Sequence, residues 1–92
     1  MRINSFEWDK VNISHIARHN IKPYEVENAV VLNKIFFKKS REGRYVAYSV
    51  TNSGAYVMIV FILKKGGKAR VITVRGMTDK EKKYYKKRKG AK

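Results

Sequence analysis

The chain contains no cysteine, a single proline and only seven acidic residues among its 92 positions. Without cysteine it can form neither disulfide bonds nor thiolate zinc sites, which excludes disulfide-stapled domains and zinc fingers. Its longest apolar run, Ala55 to Leu63, is about half the length that a membrane-spanning helix needs. The segment Met1 to Asp9 has no apolar stretch followed by small residues that could form a cleavage site, so we expect a cytoplasmic protein without a membrane contact.

The few acidic residues are unevenly placed. Residues 1–33 hold four basic and four acidic residues, whereas residues 34–92 hold eighteen basic and three acidic residues, an excess of fifteen positive charges. A neutral half joined to a strongly cationic half predicts a folded body that presents one surface to a polyanion. RNA or DNA is the usual polyanion for such a protein, and an acidic protein partner is the alternative.

Length and composition predict one domain that spans residues 1–92, because a chain of this size builds a single core. We expect 90–92 to be a disordered tail. In the first third of the chain, Arg2 to Trp8 is weakly strand-like and short enough to form an edge strand. Asp9 is a suitable N-cap for a helix from Lys10 to about His19. Its apolar face, which we expect to be buried, consists of Ile13, Ile16 and Ala17.

A second helix begins at Pro23, since proline is favoured at the first helical position. Its core stripe consists of Val26, Ala29 and Val30. From position 34 the pattern changes to runs rich in Val, Ile, Tyr and Phe, separated by short connections that contain glycine. These predicted strands are Ile35–Lys39, Arg44–Thr51, Ala55–Lys64 and Ala69–Arg75. Short connections favour antiparallel neighbours, and therefore a meander.

Both alternating faces of Ala55–Lys64 are apolar, so we expect this strand to be central and covered by helices. Thr78 and Glu81 form a capping-box pattern that opens a last helix, Asp79 to about Lys89. The predicted fold is therefore α+β: two N-terminal helices and one C-terminal helix surround a four-stranded antiparallel sheet, to which Arg2–Trp8 adds a possible edge strand.

The last helix is almost uniformly cationic, and its lysines could neutralise phosphates of a nucleic acid. Tyr84 and Tyr85 could stack on bases or, alternatively, pack the helix on the sheet. Neither possibility excludes the other.

The first helix carries a second candidate cluster. At 100° per residue, His15, Arg18 and His19 lie within about a quarter-turn of one another and point away from the apolar face. Cleavage of RNA without a metal needs a base, an acid and cations over the phosphate, and imidazole and guanidinium groups suit these roles. Two histidines on a helix surface more often have no catalytic role.

The sequence lacks the motifs of metal sites, nucleotide-binding folds and serine hydrolases. His15 and His19 could share a metal, but Glu7, Asp9 and Glu42 are the only nearby acidic candidates for a third ligand, and no HExxH pattern is present. We expect no metal and no cofactor. The chain also has no GxxxxGK[ST], GxGxxG or GxSxG motif, which argues against nucleotide-binding folds and serine hydrolases.

Three segments resemble the BrnT-like proteins. Residues 8–27, WDKVNISHIARHNIKPYEVE, resemble the WDxxNxxHIA[RK]HxVxPxEVE opening of that family. Residues 41–45, REGRY, resemble its RxGRY strand start. Residues 74–78, together with Glu81 and the pair Tyr84-Tyr85, resemble its closing ARxMTxxExxxY. The resemblance covers nearly the whole chain with the segments in the same order.

This resemblance implies a toxin of a type II toxin–antitoxin pair with a RelE-like fold. BrnT-like toxins cleave RNA without a metal and are neutralised by a BrnA-like antitoxin, expected here to be acidic, that carries a ribbon-helix-helix region. The complex represses its own operon, so operator DNA would be contacted only through the antitoxin. Residue by residue, the resemblance implies His19 and Glu42 as proton-transfer groups and Arg18 and Arg75 as phosphate clamps.

The chain also departs from the family. Many relatives read GRT and then GR on the central hairpin, where this chain has Ser49-Val50-Thr51 and Gly54-Ala55, so two arginines are missing. We expect RNA contacts from His15, Lys38, Lys39, Arg44, Arg70, Lys82, Lys83 and Lys86. The alternative function is a module without strong catalysis that binds nucleic acid or the antitoxin and acts as a co-repressor.

Overall fold

A computed structural model of the protein describes residues 2–90. It consists of one five-stranded sheet and three α-helices. In chain order these are β1 (Ser5–Glu7), α1 (Lys10–Ala17), α2 (Pro23–Val31), β2 (Phe36–Lys39), β3 (Arg44–Val50), β4 (Tyr56–Lys64), β5 (Lys68–Gly76) and α3 (Asp79–Gly90). A 3-10 turn, Lys65–Gly67, joins β4 to β5. The predicted tail falls at the edge of this range: Gly90 ends α3, and 91–92 lie outside the described residues.

The sheet order is β1-β5-β4-β3-β2. Strands β2 to β5 form the predicted antiparallel meander, with β4 at the centre. The prediction of a wholly antiparallel sheet is wrong, because β1 is present as an edge strand and pairs with β5 in parallel. Hairpin connections fix direction only for neighbours in sequence, and some sixty residues separate β1 from β5.

Hydrogen bonds at the start of α1 attach the end of β1 and the first turn of the helix to β5. Asp9 caps the helix by accepting from the backbone N–H groups of Val11 and Asn12, and the side chain of Asn12 accepts in return from the Asp9 N–H. The Asn12 amide also donates to the carbonyl oxygens of Glu7 and Val71 at 2.8 and 3.0 Å. These bonds carry the chain from β1 into α1 alongside the free edge of β5.

Helices α1 and α2 cover one face of the sheet, which we call the front face. Its core consists of Ile16, Ile21, Val26, Ala47, Val57, Ile59, Phe61, Ala69, Val71 and Val74. The predicted stripe of α2 is confirmed at Val26 and Ala29, which are both buried. The predicted apolar face of α1 is partly wrong: Ile13 is 40% exposed and Ala17 is exposed. Asn12 is buried in their place, because its amide is bonded to the sheet edge.

Helix α3 covers part of the opposite face, which we call the back face. Its core consists of Tyr48, Met58, Met77 and Tyr85, with Phe36, Val46, Val50, Tyr56, Val60 and Tyr84 packed against it. Thr78 and Glu81 form the predicted capping box at its start. Both faces of β4 therefore contribute to a core, as its two apolar faces predicted.

The radius of gyration, 12.4 Å, matches the value of about 12 Å expected for one domain of this length. Within the described residues, the helices are all too short or too polar to cross a membrane.

Replacing Asn12 by alanine tests the bonds that hold α1 to the sheet. We expect Asn12→Ala to lower the free energy of unfolding by about 1–3 kcal/mol, because the buried carbonyl oxygen of Val71 and the partly buried one of Glu7 lose a donor. The measurement is urea denaturation followed by circular dichroism. Asn28→Ala is the matched control, since none of the side-chain hydrogen bonds among residues 2–90 involves Asn28, and it should change stability by less than about 0.5 kcal/mol. Equal effects of the two substitutions would contradict the proposed role of Asn12.

Candidate nucleic-acid interface

The strand register arranges the back face in rows that run across the sheet. The row beneath α3 consists of Phe36, Tyr48, Met58 and Arg75. The next row consists of Lys38, Val46, Val60 and Thr73, and the row after that of Arg44, Ile62 and Arg70. Helix α3 crosses the sheet along the first row, since Glu81 contacts Arg75 on β5 and Arg88 lies over Phe36 on β2. The two other rows are left at least partly open to solvent.

A pocket of about 190 Å³, which we call the main pocket, lies where α3 meets the open rows. Its lining residues are Lys38, Tyr48, Lys80, Glu81 and Tyr84. These come from three elements, β2, β3 and α3. Two ammonium groups, one carboxylate and two phenol rings therefore surround one small cavity.

Arg75 supplies a guanidinium beside this pocket. Its two terminal nitrogens donate to the two carboxylate oxygens of Glu81 at 2.9 and 3.0 Å, and one of them also donates to the carbonyl of Gly76. The hydrogen bonds from Arg75 lower the pKa of Glu81 and, reciprocally, those to Glu81 raise the pKa of Arg75. The pair is therefore ionised at neutral pH, and a bidentate geometry fixes the guanidinium plane.

Tyr48 places a hydroxyl group in the main pocket. The side chain is only 9% exposed, yet none of the hydrogen bonds among the described residues involves its hydroxyl. Every buried side-chain polar atom in this part of the chain has a partner, so the Tyr48 oxygen is not sealed off from solvent. Burial, and then the negative charge of Glu81, raises the pKa of Tyr48. The group therefore stays protonated at neutral pH and is a hydrogen-bond donor.

Cations of α3 and β2 lie over aromatic rings. Lys38 is 5.5 Å from the ring centre of Tyr84, and the guanidinium of Arg88 is 4.9 Å from that of Phe36 and 5.8 Å from that of Tyr84. Such contacts stabilise by about 0.5–1 kcal/mol each at exposed sites. They hold the positive charges around Tyr84 in defined positions.

On the other flank of α3, Lys82 and Lys86 lie 6.0 and 5.3 Å from the ring centre of Tyr56. The sequence left open whether Tyr84 and Tyr85 stack on bases or pack the helix on the sheet, and the structure places the two rings differently. Tyr85 is 1% exposed and packs the helix on the sheet, whereas Tyr84 lines the main pocket.

The structure brings some predicted site residues together and keeps others apart. Lys38 lines the main pocket, and Arg75 lies beside it through its ion pair with Glu81. Arg18 and His19 are exposed at the end of α1, which packs on the front face. The Nδ1 atom of His15 lies 3.4 Å from the carbonyl oxygen of Ile72 on β5.

Glu42 lies far from the other predicted catalytic residues. It occupies the turn between β2 and β3, at the opposite end of the strand order from α1 and β5. Both Glu42 and Gly43 have positive φ angles, as the two central residues of a type I′ turn do. Among residues 2–90, no hydrogen bond or ion pair joins Glu42 to His19, Arg18 or Arg75. The structure therefore does not bring Glu42 together with His19, Arg18 or Arg75, and the roles that the resemblance implies for these residues stay a prediction.

The residues predicted to contact RNA also differ in whether their positive charge is already paired with a carboxylate of the protein. Arg70 is paired with the carboxylates of Asp9 and Glu7 at 2.7 and 3.0 Å. The hydrogen bond to Asp9 contributes most to raising the pKa of Arg70. Arg70 is therefore mainly a structural residue, which links β1 and the start of α1 to β5. The exposed members of the predicted set on the sheet and α3 are Lys38, Lys39, Arg44, Lys83 and Lys86.

Three residues of the main pocket were not singled out from the sequence as site residues: Tyr48, Lys80 and Glu81. The capping box that includes Glu81 was visible, but only the structure shows that the same carboxylate binds Arg75. Tyr48 has the strand alternation of a core residue, and nothing in that pattern indicates an unbonded hydroxyl. Within residues 2–90, no three His, Asp or Glu side chains are grouped as a metal site would require.

Comparisons with known proteins do not place the chain in a family. No model of a known protein family matches it, and no curated protein matches it either. On its own evidence, the structure is that of a basic, single-domain α+β protein with a cation-lined pocket between its sheet and its C-terminal helix.

The Arg75–Glu81 pair predicts a pH-dependent contribution to stability. Because folding lowers the pKa of Glu81, its carboxylate stabilises the fold fully above the ordinary glutamate range near about pH 4.3, and this contribution is lost as the pH falls through the lowered value. We expect Glu81→Gln to reduce stability at pH 7 by at most about 1 kcal/mol, since solvent screens the partly exposed pair. The difference from the wild type should shrink in acid.

The measurement is chemical denaturation between neutral and strongly acidic pH. Glu42→Gln is the matched control, because Glu42 forms no ion pair with any other described residue. A wild-type advantage over Glu81→Gln that stays constant down to the lowest pH would show that the charge of Glu81 does not contribute.

Proposed function

We propose that this protein is an RNA-cleaving toxin of the BrnT-like type, with a RelE-like fold, and that it binds and cleaves RNA in the main pocket. The observation that carries the proposal is the cluster itself. Arg75, Lys38 and Lys80 bring positive charge to a cavity that also holds the unbonded hydroxyl of Tyr48 and the carboxylate of Glu81. The cluster contains the classes of group that metal-independent RNA cleavage uses.

Binding would begin with the phosphate. A phosphodiester in the main pocket would be bound by the ammonium groups of Lys38 and Lys80, and its oxygens would compete with Glu81 for the guanidinium of Arg75. The ring of Tyr84 lines the same cavity and offers a surface on which an adjacent base can stack. Single-stranded RNA is the expected substrate, because its bases are free to stack on a side chain.

Catalysis would follow from the exchange of partners by Arg75. When the guanidinium moves to the phosphate, Glu81 loses the hydrogen bonds from Arg75, which are the largest cause of its lowered pKa, and it becomes a stronger base for the ribose 2′-hydroxyl. The 2′-oxygen then attacks phosphorus and the bond to the 5′-oxygen breaks. Tyr48, which is protonated at neutral pH, donates its proton to the leaving 5′-oxygen, so that the products are a 2′,3′-cyclic phosphate and a free 5′-hydroxyl. Glu81 then releases to solvent the proton that it took from the 2′-hydroxyl, and Tyr48 regains one from solvent. Arg75 and the lysines stabilise the negative charge of the transition state.

A second candidate function is RNA binding without cleavage, with the protein acting as a co-repressor. It is favoured by the position of Glu81, whose carboxylate is occupied by Arg75 and by the Thr78 N–H. It is favoured also by the separation of Glu42 from the other residues that the resemblance implied as catalytic.

The proposal includes a protein partner and a location. A BrnA-like antitoxin, expected to be acidic, would be attracted by the excess of fifteen positive charges, and long-range attraction of this kind speeds association. Operator DNA would be contacted only through that antitoxin. A toxin that acts on RNA in the cell that makes it would be cytoplasmic.

A cleavage assay tests the assignment of the main pocket. We expect the wild type to cut a labelled single-stranded RNA in the presence of EDTA. Tyr48→Phe and Arg75→Ala should each lower the rate by about 100-fold, the size of a general-acid or charge-stabilising contribution. His19→Ala should change the rate by less than about twofold. Tyr48→Phe keeps the ring that packs in the core, so we expect this variant to fold. Thermal denaturation checks that it does.

The same assay decides between the candidates. Loss of cleavage in His19→Ala with full activity in Tyr48→Phe would place the chemistry at the end of α1 and contradict the main pocket. Wild-type protein that binds the RNA but produces no fragments would favour the co-repressor. In cells, induced expression should arrest growth, and Tyr48→Phe should relieve the arrest.

The salt dependence of RNA affinity tests the phosphate contacts independently of cleavage. Each phosphate contact on a single strand contributes about 0.7 to the slope of log affinity against log salt concentration. We expect Lys38→Ala to reduce the magnitude of this slope by about 0.7 in a fluorescence anisotropy titration. Lys65→Ala, in the turn at the far end of β4, removes the same charge and should leave the slope unchanged. Equal slopes for both variants would show that the RNA is held by net charge rather than at the main pocket.

A further inference from the structure

A second and larger cavity lies on the other flank of α3, and the proposed cleavage site does not use it. This cavity, which we call the second pocket, has a volume of about 420 Å³. It is a cleft open to solvent, lined by the segment after α2, the turn between β3 and β4, and the end of α3. Its principal polar residues are Asn33, Lys34, Asn52 and Lys89. Tyr84 lines the main pocket and Tyr85 the second, so the two cavities lie on either side of the same helix.

Hydrogen bonds hold the walls of the second pocket in place. The hydroxyl of Tyr85 donates to the carbonyl of Lys34 at 2.7 Å, which fixes the end of α3 against the segment after α2. The side-chain amide of Asn33 donates to the carbonyl of Val50 at 2.6 Å and to the Asn52 side-chain oxygen at 3.0 Å. These bonds use the Asn33 nitrogen and the Asn52 oxygen. They leave the Asn52 nitrogen as a donor and the Asn33 oxygen as an acceptor.

The charge of the second pocket is purely positive. Lys34 and Lys89 line it, neither forms an ion pair with a described residue, and no carboxylate is among its lining residues. A ligand that matches these groups carries a negative charge and also has hydrogen-bond donors and acceptors of its own. The volume lies in the range of small-molecule sites, about 300–1,000 Å³, whereas the main pocket is smaller.

We propose that the second pocket binds a nucleotide. The phosphate would lie between Lys34 and Lys89, and the polar edge of the base or the ribose hydroxyls would bond to the Asn52 nitrogen and the Asn33 oxygen. The nucleotide could be a free mononucleotide or the phosphorylated end of an RNA strand, since both present the same chemistry. This site does not depend on cleavage in the main pocket.

A nuclear magnetic resonance titration with three probes tests the proposal on the full chain. Adenosine 5′-monophosphate should shift the side-chain amide signals of Asn33 and Asn52 and the backbone amide of Gly54. Adenosine and inorganic phosphate, each of which offers half of the recognised chemistry, should bind at least about tenfold more weakly. Absence of shifts at these positions with the mononucleotide would overturn the proposal.

Two variants and a charge-matched control give the test its specificity. Lys34→Ala and Asn52→Ala should each raise the Kd for the mononucleotide by about tenfold, since each removes a bond to the ligand. Lys87→Ala, on α3 but outside the lining of both pockets, removes the same charge as Lys34→Ala and should leave the Kd within about twofold. Equal weakening by Lys34→Ala and Lys87→Ala would indicate attraction to net charge only and overturn the proposal.

Two further experiments distinguish a free mononucleotide from the end of an RNA strand, and the second pocket from the main pocket. In the first, an RNA oligomer with and without a 5′-phosphate competes with the mononucleotide. Displacement by the phosphorylated oligomer alone would identify the end of a strand as the ligand. If neither oligomer displaces the mononucleotide, the ligand is the free mononucleotide. Lys38→Ala and Tyr48→Phe, which alter the main pocket, should leave mononucleotide binding unchanged. Failure of the cleavage assay alone therefore leaves this site intact, and loss of mononucleotide binding in Tyr48→Phe would contradict a separate site.

Discussion

The buried ring of Tyr85 is the contact on which the two cavities of this protein depend. Helix α3 carries seven basic and two acidic residues, and so much charge gives it little apolar surface with which to dock. Tyr85 compensates by packing edge-on against Phe36 and Tyr56, with ring centres 5.3 and 5.9 Å apart, while its hydroxyl reaches the carbonyl of Lys34. Aromatic pairs of this kind contribute about 0.5–1.5 kcal/mol beyond the area they bury. Because both pockets are formed between α3 and its surroundings, both require this helix to be docked.

The ion pairs show where the few acidic residues of this chain are used. Glu7 and Asp9 bind Arg70, and Glu81 binds Arg75, so both arginines of β5 are held by carboxylates in fixed positions. Hydrogen bonds from Lys64 and Arg70 lower the pKa of Glu7, and the bond from Arg70 contributes most to lowering that of Asp9. Among residues 2–90, Lys64 pairs with Glu7 and the other lysines have no such partner. The arginines therefore organise the edge and the back face of the sheet, and the lysines supply the positive field around them.

Local patterns in the sequence predicted the helices, strands and turns. The buried face of α1 and the main pocket depend on long-range contacts, which local patterns do not show. The caps at Asp9 and Thr78, the alternation in β4 and the glycine-containing turns each involve residues close in sequence, and each was confirmed. The burial of Asn12 in place of Ile13 depends on the carbonyl of Val71, some sixty residues away, so helical spacing alone gave the wrong face. The main pocket was inaccessible to sequence reasoning for the same reason. Arg75 and Lys38 could be named as basic residues, but their meeting with Tyr48 and Glu81 results from the way α3 crosses the sheet.

The parallel pairing of β1 with β5 has a consequence for how the protein is made. During synthesis, β2, β3 and β4 can pair as soon as they leave the ribosome, because each follows its neighbour through a short turn. β1 and α1 precede their partner β5 by some sixty residues, and closing so long a loop has an entropic cost. During synthesis β1 therefore has no partner strand until the residues of β5 have been translated. A nascent chain that stops before β5 cannot assemble the finished sheet.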